Sequence, residues 1–149
     1  MNSLFTSQLH DEHTFYQTFL KDVEKCQNEL IIESPYITVQ RFKTFDRLFE
    51  KLLEKGVKIY IITRNPKEHE LGMEIQSEDA ISWCEQVGIQ VLLCIGNHHR
   101  KLALIDRKTL WEGSLNILSQ TRSREIMRRI ESQELTLQMF KFLKLDKVL

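Results

Sequence analysis

Disulfide chemistry, flexible linkers and membrane spans are all poorly provided for in this 149-residue sequence. It has three cysteines, Cys26, Cys84 and Cys94, an odd number with no CxxC spacing. Each sits in or beside an apolar periodic segment, so neither a disulfide framework nor a zinc set is expected, and the thiols should be free and buried. Five glycines and two prolines leave no linker, repeat or low-complexity tract. With 42% hydrophobic residues, the length suits one compact domain over residues 1–149. No stretch nears the roughly 20 consecutive apolar residues that cross a bilayer. The start, MNSLFTSQLHDEHTF, has neither a basic n-region nor an apolar h-region. A cytoplasmic protein with no membrane contact is the expectation.

Net charge is lacking too, 21 basic residues being matched by 21 acidic ones. This removes the overall basic excess that phosphate neutralisation would favour in a nucleic-acid binder. Its distribution is uneven, however. Residues 97–129 hold eight basic residues (Arg100, Lys101, Arg107, Lys108, Arg122, Arg124, Arg128, Arg129) against three acidic ones (Asp106, Glu112, Glu125), a local +5 on a remainder of −5. That cluster reads either as a polyanion footprint or as ordinary solvated charge.

Strands alternate with helices along the chain. Phe15, Phe19, Leu20 and Val23 lie at helical spacing within residues 14–27, and residues 30–34 form a short buried strand ending at Pro35. Residues 42–55 place Phe42, Phe45, Leu48, Phe49, Leu52 and Leu53 on one helical face, with Gly56 as the C-terminal cap. VKIYIIT, residues 57–63, is a strand covered on both faces. A charged loop, 64–72, precedes a helix at 78–87 that Gly88 stops. Strands follow at 89–95, 101–105 and 110–112, with turns at 96–97 and 106–108 and a last strand at 126–130. Ser132 caps a final helix burying Leu135, Met139, Phe140 and Leu143. The fold class expected is α/β, a mixed and largely parallel β-sheet flanked by helices.

The chemistry is concentrated in HRKLALIDRKTLWEGSLN, residues 99–116, which fits HxKxxxxDxxxxxxGSxN at every defined position. Six defined positions at fixed spacing resemble the HKD signature of the phospholipase D superfamily. In a strand His99 and Lys101 would share one face and Arg100 would point elsewhere. The turn at 106–108 would bring Gly113, Ser114 and Asn116 back alongside, so that a hydroxyl, an amide and an ammonium surround one phosphodiester, with Gly113 allowing close backbone approach.

The resemblance implies a metal-independent phosphodiesterase, with no cofactor, in which His99 is the nucleophile. A histidine nucleophile needs an acceptor for its other ring nitrogen, and Ser123-Arg124-Glu125 is similar to the family segment that supplies one, making Glu125 the candidate. Asp106, at a turn, is expected to be structural rather than catalytic. Glu33-Ser34-Pro35-Tyr36 resembles the segment whose aromatic borders the pocket in this superfamily, so Tyr36 either contacts substrate or simply packs. Arg100, Arg122 and Arg124 complete the candidate substrate-binding set.

One HKD element per chain cannot supply both nucleophile and acid, and the amino-terminal half has no HxK. A two-fold homodimer joining two copies of His99 is therefore expected. His98 should face away from His99, while His10, His13 and His69 complete no metal-ligand spacing. Residues 111–132 are similar to phospholipase D-like domains fused to bacterial helicases and ATPases, which implies a nuclease, DNA ahead of RNA as its partner, and a helicase or ATPase alongside. The rival readings are a lipid phosphatidyltransferase and a non-catalytic nucleic-acid-binding subunit.

Overall fold

Three consecutive isoleucine and leucine side chains at residues 30–32 are divided between two cores, Leu30 and Ile32 entering one and Ile31 the other. This alternation is the period of a strand buried on both faces, and it organises the whole molecule. The computed structural model describes residues 5–119 and 122–149; residues 1–4, which open the polar start, and 120–121, within the stretch 111–132, lie outside it.

Seven strands form one sheet: β1 (Thr6–Asp11), β2 (Glu29–Glu33), β3 (Lys58–Arg64), β4 (Gln90–Cys94), β5 (Leu102–Ile105), β6 (Thr109–Gly113) and β7 (Ile126–Glu131). Their spatial order is β1-β7-β6-β5-β2-β3-β4. Among the described residues six α-helices accompany them, α1 (Phe15–Glu24), α2 (Val39–Phe42), α3 (Asp46–Glu54), α4 (Leu71–Val87), α5 (Gln133–Phe142) and α6 (Leu145–Val148). The larger core gathers Phe15, Phe19, Phe45, Phe49 and Cys84 from α1, α3, α4 and the turn before α3, against Leu30, Ile59, Ala103 and Trp111 of the sheet. The smaller core sets Phe140 and Leu145, from α5 and α6, against Ile31, Leu102, Leu104 and Leu110. Among the described residues no helix is long and apolar enough to cross a membrane.

The mixed α/β architecture is as expected, but the parallel share is confined to β2-β3-β4, and the other four pairings are antiparallel. The reason is local: parallel neighbours need a helical crossover, which α3 and α4 supply, whereas β5 and β6 are joined by a tight turn and must run antiparallel. Strand β1 was not anticipated. Its side chains are mostly exposed, so no buried face imposes a hydrophobic alternation on them, and its pairing with β7 supplies the order.

The helix expected over 42–55 is instead two pieces: Thr38 caps α2 by accepting the Arg41 N–H, and α3 begins only at Asp46. Phe42 and Phe45 remain buried on either side of the break. Helix α4 starts seven residues earlier than its apolar pattern indicated, at Leu71, because Leu71 and Ile75 are exposed and break the stripe. Cys26 and Cys84 are buried and Cys94 is half-buried, all as free thiols. Burial pushes the Cys84 thiol up to about 12, far from the reactive range.

At Gly113 the end of β6 presses against β7. A Cβ there would collide with the Ile126 carbonyl oxygen and the Met127 backbone, which only backbone displacement could relieve. Gly113→Ala is expected to lower stability by about 1–3 kcal/mol, the usual cost of overpacking, and urea denaturation will read it directly.

Candidate active site

Residues 95–101 leave β4 at one sheet edge and must reach β5 in the middle, so they pass over the carboxyl ends of β3 and β2. They therefore cannot lie in the sheet, and the strand expected from residue 101 begins at Leu102. Gly96 and Asn97 both take positive φ, 99° and 64°. The Glu68 carboxylate accepts their N–H groups at 2.9 and 3.2 Å, and is held below its ordinary value first by Gly96 and then by Arg64.

Alternation survives outside the sheet. The His98 side chain is largely covered, with its Nε2 2.9 Å from Glu33 Oε1, and Arg100 Nε donates to the same oxygen at 3.2 Å. His99 and Lys101 turn the other way and line a cavity of about 770 Å³ together with Gly113 and Ser114. His99 is exposed, with its Nε2 3.2 Å from Asn97 Oδ1. Lys101 Nζ donates to the His99 carbonyl at 2.7 Å. Burial lowers the Lys101 pKa, and the nearby Glu125 carboxylate opposes that shift.

Ser114 is fixed by β7: its N–H donates to the Ile126 carbonyl at 2.9 Å, and its Oγ accepts the Ile126 N–H at 3.0 Å. The next turn is anchored from behind, where Leu115, Ile117 and Leu118 are buried, Tyr16 donates to the Ile117 carbonyl at 2.8 Å, and Ser34 Oγ accepts the Leu118 N–H at 3.1 Å. Asn116 stands between these anchors with its Oδ1 buried and without a hydrogen-bond partner among the described residues. It does not line the cavity, and neither does Glu125.

Glu125 is not joined to His99. Its carboxylate accepts from Ser123 Oγ at 2.7 Å, and its own N–H donates to Glu12. Tyr36 stacks on His69 at 4.8 Å and meets the His99 ring edge-on at 6.2 Å. Arg124 lines the cavity, Arg122 is exposed, and Arg100 reaches the cavity rim from its contact with Glu33.

The local +5 is partly neutralised within the fold. Arg107 grips Glu29 with two hydrogen bonds, Arg129 does the same to Asp22, and Arg100 faces Glu33. Lys101, Arg124 and Arg128 remain as cationic groups on the cavity wall.

Several residues about the site escaped sequence reasoning. Leu9, Ile126, Met139, Phe142 and Leu143 form an apolar side of the same cavity; they come from β1, β7, α5 and the residue after it, and only folding brings those together. Glu33 did carry a signal, a carboxylate at the end of an isoleucine-rich buried strand, where a charge is tolerated only with partners.

A family model described as "Cardiolipin synthase, PLD-like domain" matches residues 19–145, and the chain belongs to this phospholipase D-like family. Among solved structures it is similar to Nuc from Salmonella typhimurium, a phospholipase D family member, with a TM-score of 0.76 at 15% identity over 93% of this chain and 91% of that one. It is also similar to NucT from Helicobacter pylori, with a TM-score of 0.71 at 16% identity and 93% of each chain covered. Phosphatidylserine synthase from Haemophilus influenzae Rd KW20 matches with a TM-score of 0.67 and 15% identity, over 95% of this chain but 38% of that one. No curated protein matches the sequence.

Asp106 lies outside the cavity and ties the hairpin to the body of the fold. Both central residues of the Ile105–Lys108 turn, Asp106 and Arg107, have φ of 54°, the mirror-image geometry that suits strand twist. Asp106 Oδ1 accepts the N–H groups of Asn28 and Glu29 at 2.7 and 3.0 Å, and Oδ2 accepts that of Gln27 at 2.9 Å. Burial raises the Asp106 pKa, but the donors Gln27, Glu29, Asn28 and Cys26 together outweigh it and hold the carboxyl below its ordinary value. A lowered folded-state pKa contributes stability above the unfolded value and loses it as pH falls through the folded one. Asp106→Asn, whose amide turns N–H toward N–H, should cost about 1.5–3 kcal/mol at pH 7. Urea denaturation should show the gap from the native protein narrowing in acid, below the ordinary aspartate range.

Proposed function

We propose that this protein is a metal-independent phosphodiesterase, with no cofactor, that hydrolyses nucleic acid, DNA ahead of RNA, through a phosphohistidine. The observation that carries the proposal is the convergence of His99, Lys101 and Ser114 on one cavity. A ring nitrogen of His99 attacks phosphorus, and the leaving oxygen departs with a proton. Lys101, the Ser114 hydroxyl and the Asn116 amide donate to the phosphoryl oxygens, whose negative charge grows in the transition state. Glu125 tempers the Lys101 charge and accepts the second His99 nitrogen if the ring turns toward it on substrate binding. Asp106 and Gly113 have structural roles.

The proton comes from a second His99, because one imidazole cannot be nucleophile and acid at once. That second copy lies across an isologous homodimer interface, then takes a proton from water as the water oxygen attacks phosphorus and frees the first histidine. Exposed Leu9, Ile126 and Phe142 beside the cavity, at 62%, 64% and 79% exposure, support an interface there. Lys101, Arg124 and Arg128 on the wall, with Arg122 and Arg100 nearby, favour a polyanionic strand. The edge-on contact of Tyr36 with the His99 ring, at 6.2 Å, supports a role for it in touching the nucleotide beside the scissile phosphate. A helicase or ATPase is the class of partner proposed to present such a strand.

A lipid phosphodiester is the second reading, favoured by the apolar side of the same cavity. Fluorescent DNA and RNA, each single- and double-stranded, and phosphatidylglycerol vesicles distinguish the two when incubated with protein in excess EDTA. Cleavage of a polynucleotide is expected, falling roughly a thousandfold or more in His99→Ala and about a hundredfold in Lys101→Ala. Loss of activity in EDTA, or turnover of the vesicles alone, would overturn the proposal. Phe142→Glu is expected to convert dimer to monomer in sedimentation equilibrium and to abolish cleavage in parallel; an active monomer would exclude the composite site.

A further inference from the structure

The Glu33 carboxylate is fully buried at the carboxyl end of β2, and it lies outside the reaction just described. Its surroundings come from the residues that alternate with the two functional ones: His98 Nε2 lies 2.9 Å from Oε1, and Arg100 Nε donates to that same oxygen at 3.2 Å. His98 is thus drawn inward, and the Nε end of Arg100 is pulled back to the same carboxylate although its side chain stays half-exposed at the cavity rim. With 98 and 100 held to that carboxylate, alternating side chains at 99 and 101 are left to face the cavity.

The Lys101 carbonyl accepts the Gly113 N–H at 3.4 Å, which ties the end of the segment to β6. Residues 95–101 otherwise belong to no strand, and a second carboxylate, that of Glu68, holds the backbone of Gly96 and Asn97. It anchors the start of the segment and leaves the facing of the later side chains open. We infer that Glu33 is a positioning residue for catalysis, holding His98 and Arg100 so that His99 and Lys101 are presented together to the substrate phosphate. The inference rests on the phosphodiesterase reading for its catalytic half alone; the clamp itself is a statement about the chain.

The contact has room to act in this way. Among the described residues His98 Nε2 makes no aligned hydrogen bond and Glu33 Oε2 has no partner, and burial, with the neighbouring cations, holds the His98 pKa below its ordinary value, so the hold comes from the Arg100 ion pair and from the proximity of His98 in a buried setting rather than from saturated geometry. Removing the charge while keeping the shape isolates that hold. An apolar residue in place of His98 removes the inner anchor without leaving a cavity, and glutamine there restores a donor for Glu33.

The experiment uses the full chain and four proteins: native, Glu33→Gln, His98→Leu and His98→Gln. Backbone ¹⁵N relaxation reads the segment directly. Order parameters at residues 97–101 are expected to fall from a rigid value near 0.85 to below about 0.6 in Glu33→Gln and His98→Leu, with β5 and β6 unchanged and with His98→Gln close to native. Hydrolysis of bis(4-nitrophenyl) phosphate should show kcat reduced at least tenfold in the first two variants and KM within threefold, with His98→Gln recovering to within threefold of native kcat. Unchanged order parameters in both Glu33→Gln and His98→Leu would overturn the clamp, as would loss of order spread through the sheet. If native protein has no activity on any phosphodiester, the catalytic reading fails while relaxation still decides the clamp. Should Glu33→Gln fail to fold, His98→Leu against His98→Gln carries the same comparison.

Discussion

One crossing constrains everything near the site. The chain finishes β4 at an edge of the sheet and must enter β5, three strand positions away, a span of about 14 Å at the usual inter-strand spacing. It makes that passage over the carboxyl ends of the parallel strands, where open α/β sheets bind their ligands. A segment in this position takes little of its hydrogen bonding from a ladder. Glu68, just after β3, accepts the N–H groups of Gly96 and Asn97, Glu33 at the end of β2 accepts from the Arg100 side chain, and the Lys101 carbonyl accepts the Gly113 N–H of β6. His99 and Lys101 lie on this bridge, held by two carboxylates along its length and by the sheet at its end.

The return half of the site obeys a different rule. Ser114 and Asn116 follow a strand that is paired on both sides and ends in close contact with β7. Buried Leu115, Ile117 and Leu118 root the turn in the larger core, and Tyr16 and Ser34 bond its backbone. A rigid half therefore faces a half suspended on two carboxylates. In such a pairing the hydroxyl and amide donors are preorganised by packing, and the histidine and lysine are preorganised by electrostatics, so the two respond to different perturbations.

Charge shows the same division. Arg107 and Arg129, counted in the basic stretch, are held by Glu29 and Asp22, and Trp111 donates to Asp22 as well. These cations join layers of the fold. The ones left on the cavity wall share it with leucine, isoleucine, methionine and phenylalanine, so the wall mixes cationic and apolar side chains rather than forming a wholly basic groove.

Much of this was legible before folding. The order of strands and helices followed from period-2 and period-3.6 patterning, and the spacing of His99, Lys101, Asp106, Gly113, Ser114 and Asn116 marked both the family and the site, because a motif is a local record of which side chains a strand, a turn and a loop must carry. Strand β1 left no such record, since its faces are mostly exposed and its order comes from β7. Nor could the sequence say that residues 95–101 bridge strand ends, that His98 and Arg100 share Glu33, or that Glu125 stands beside Lys101 rather than on His99. By itself the sequence determined the family motif and which elements carry its residues. Tertiary structure alone decided how those groups face one another, because that depends on the spatial order of strands distant in the chain, and on burial of a carboxylate whose partners are 65 and 67 residues away.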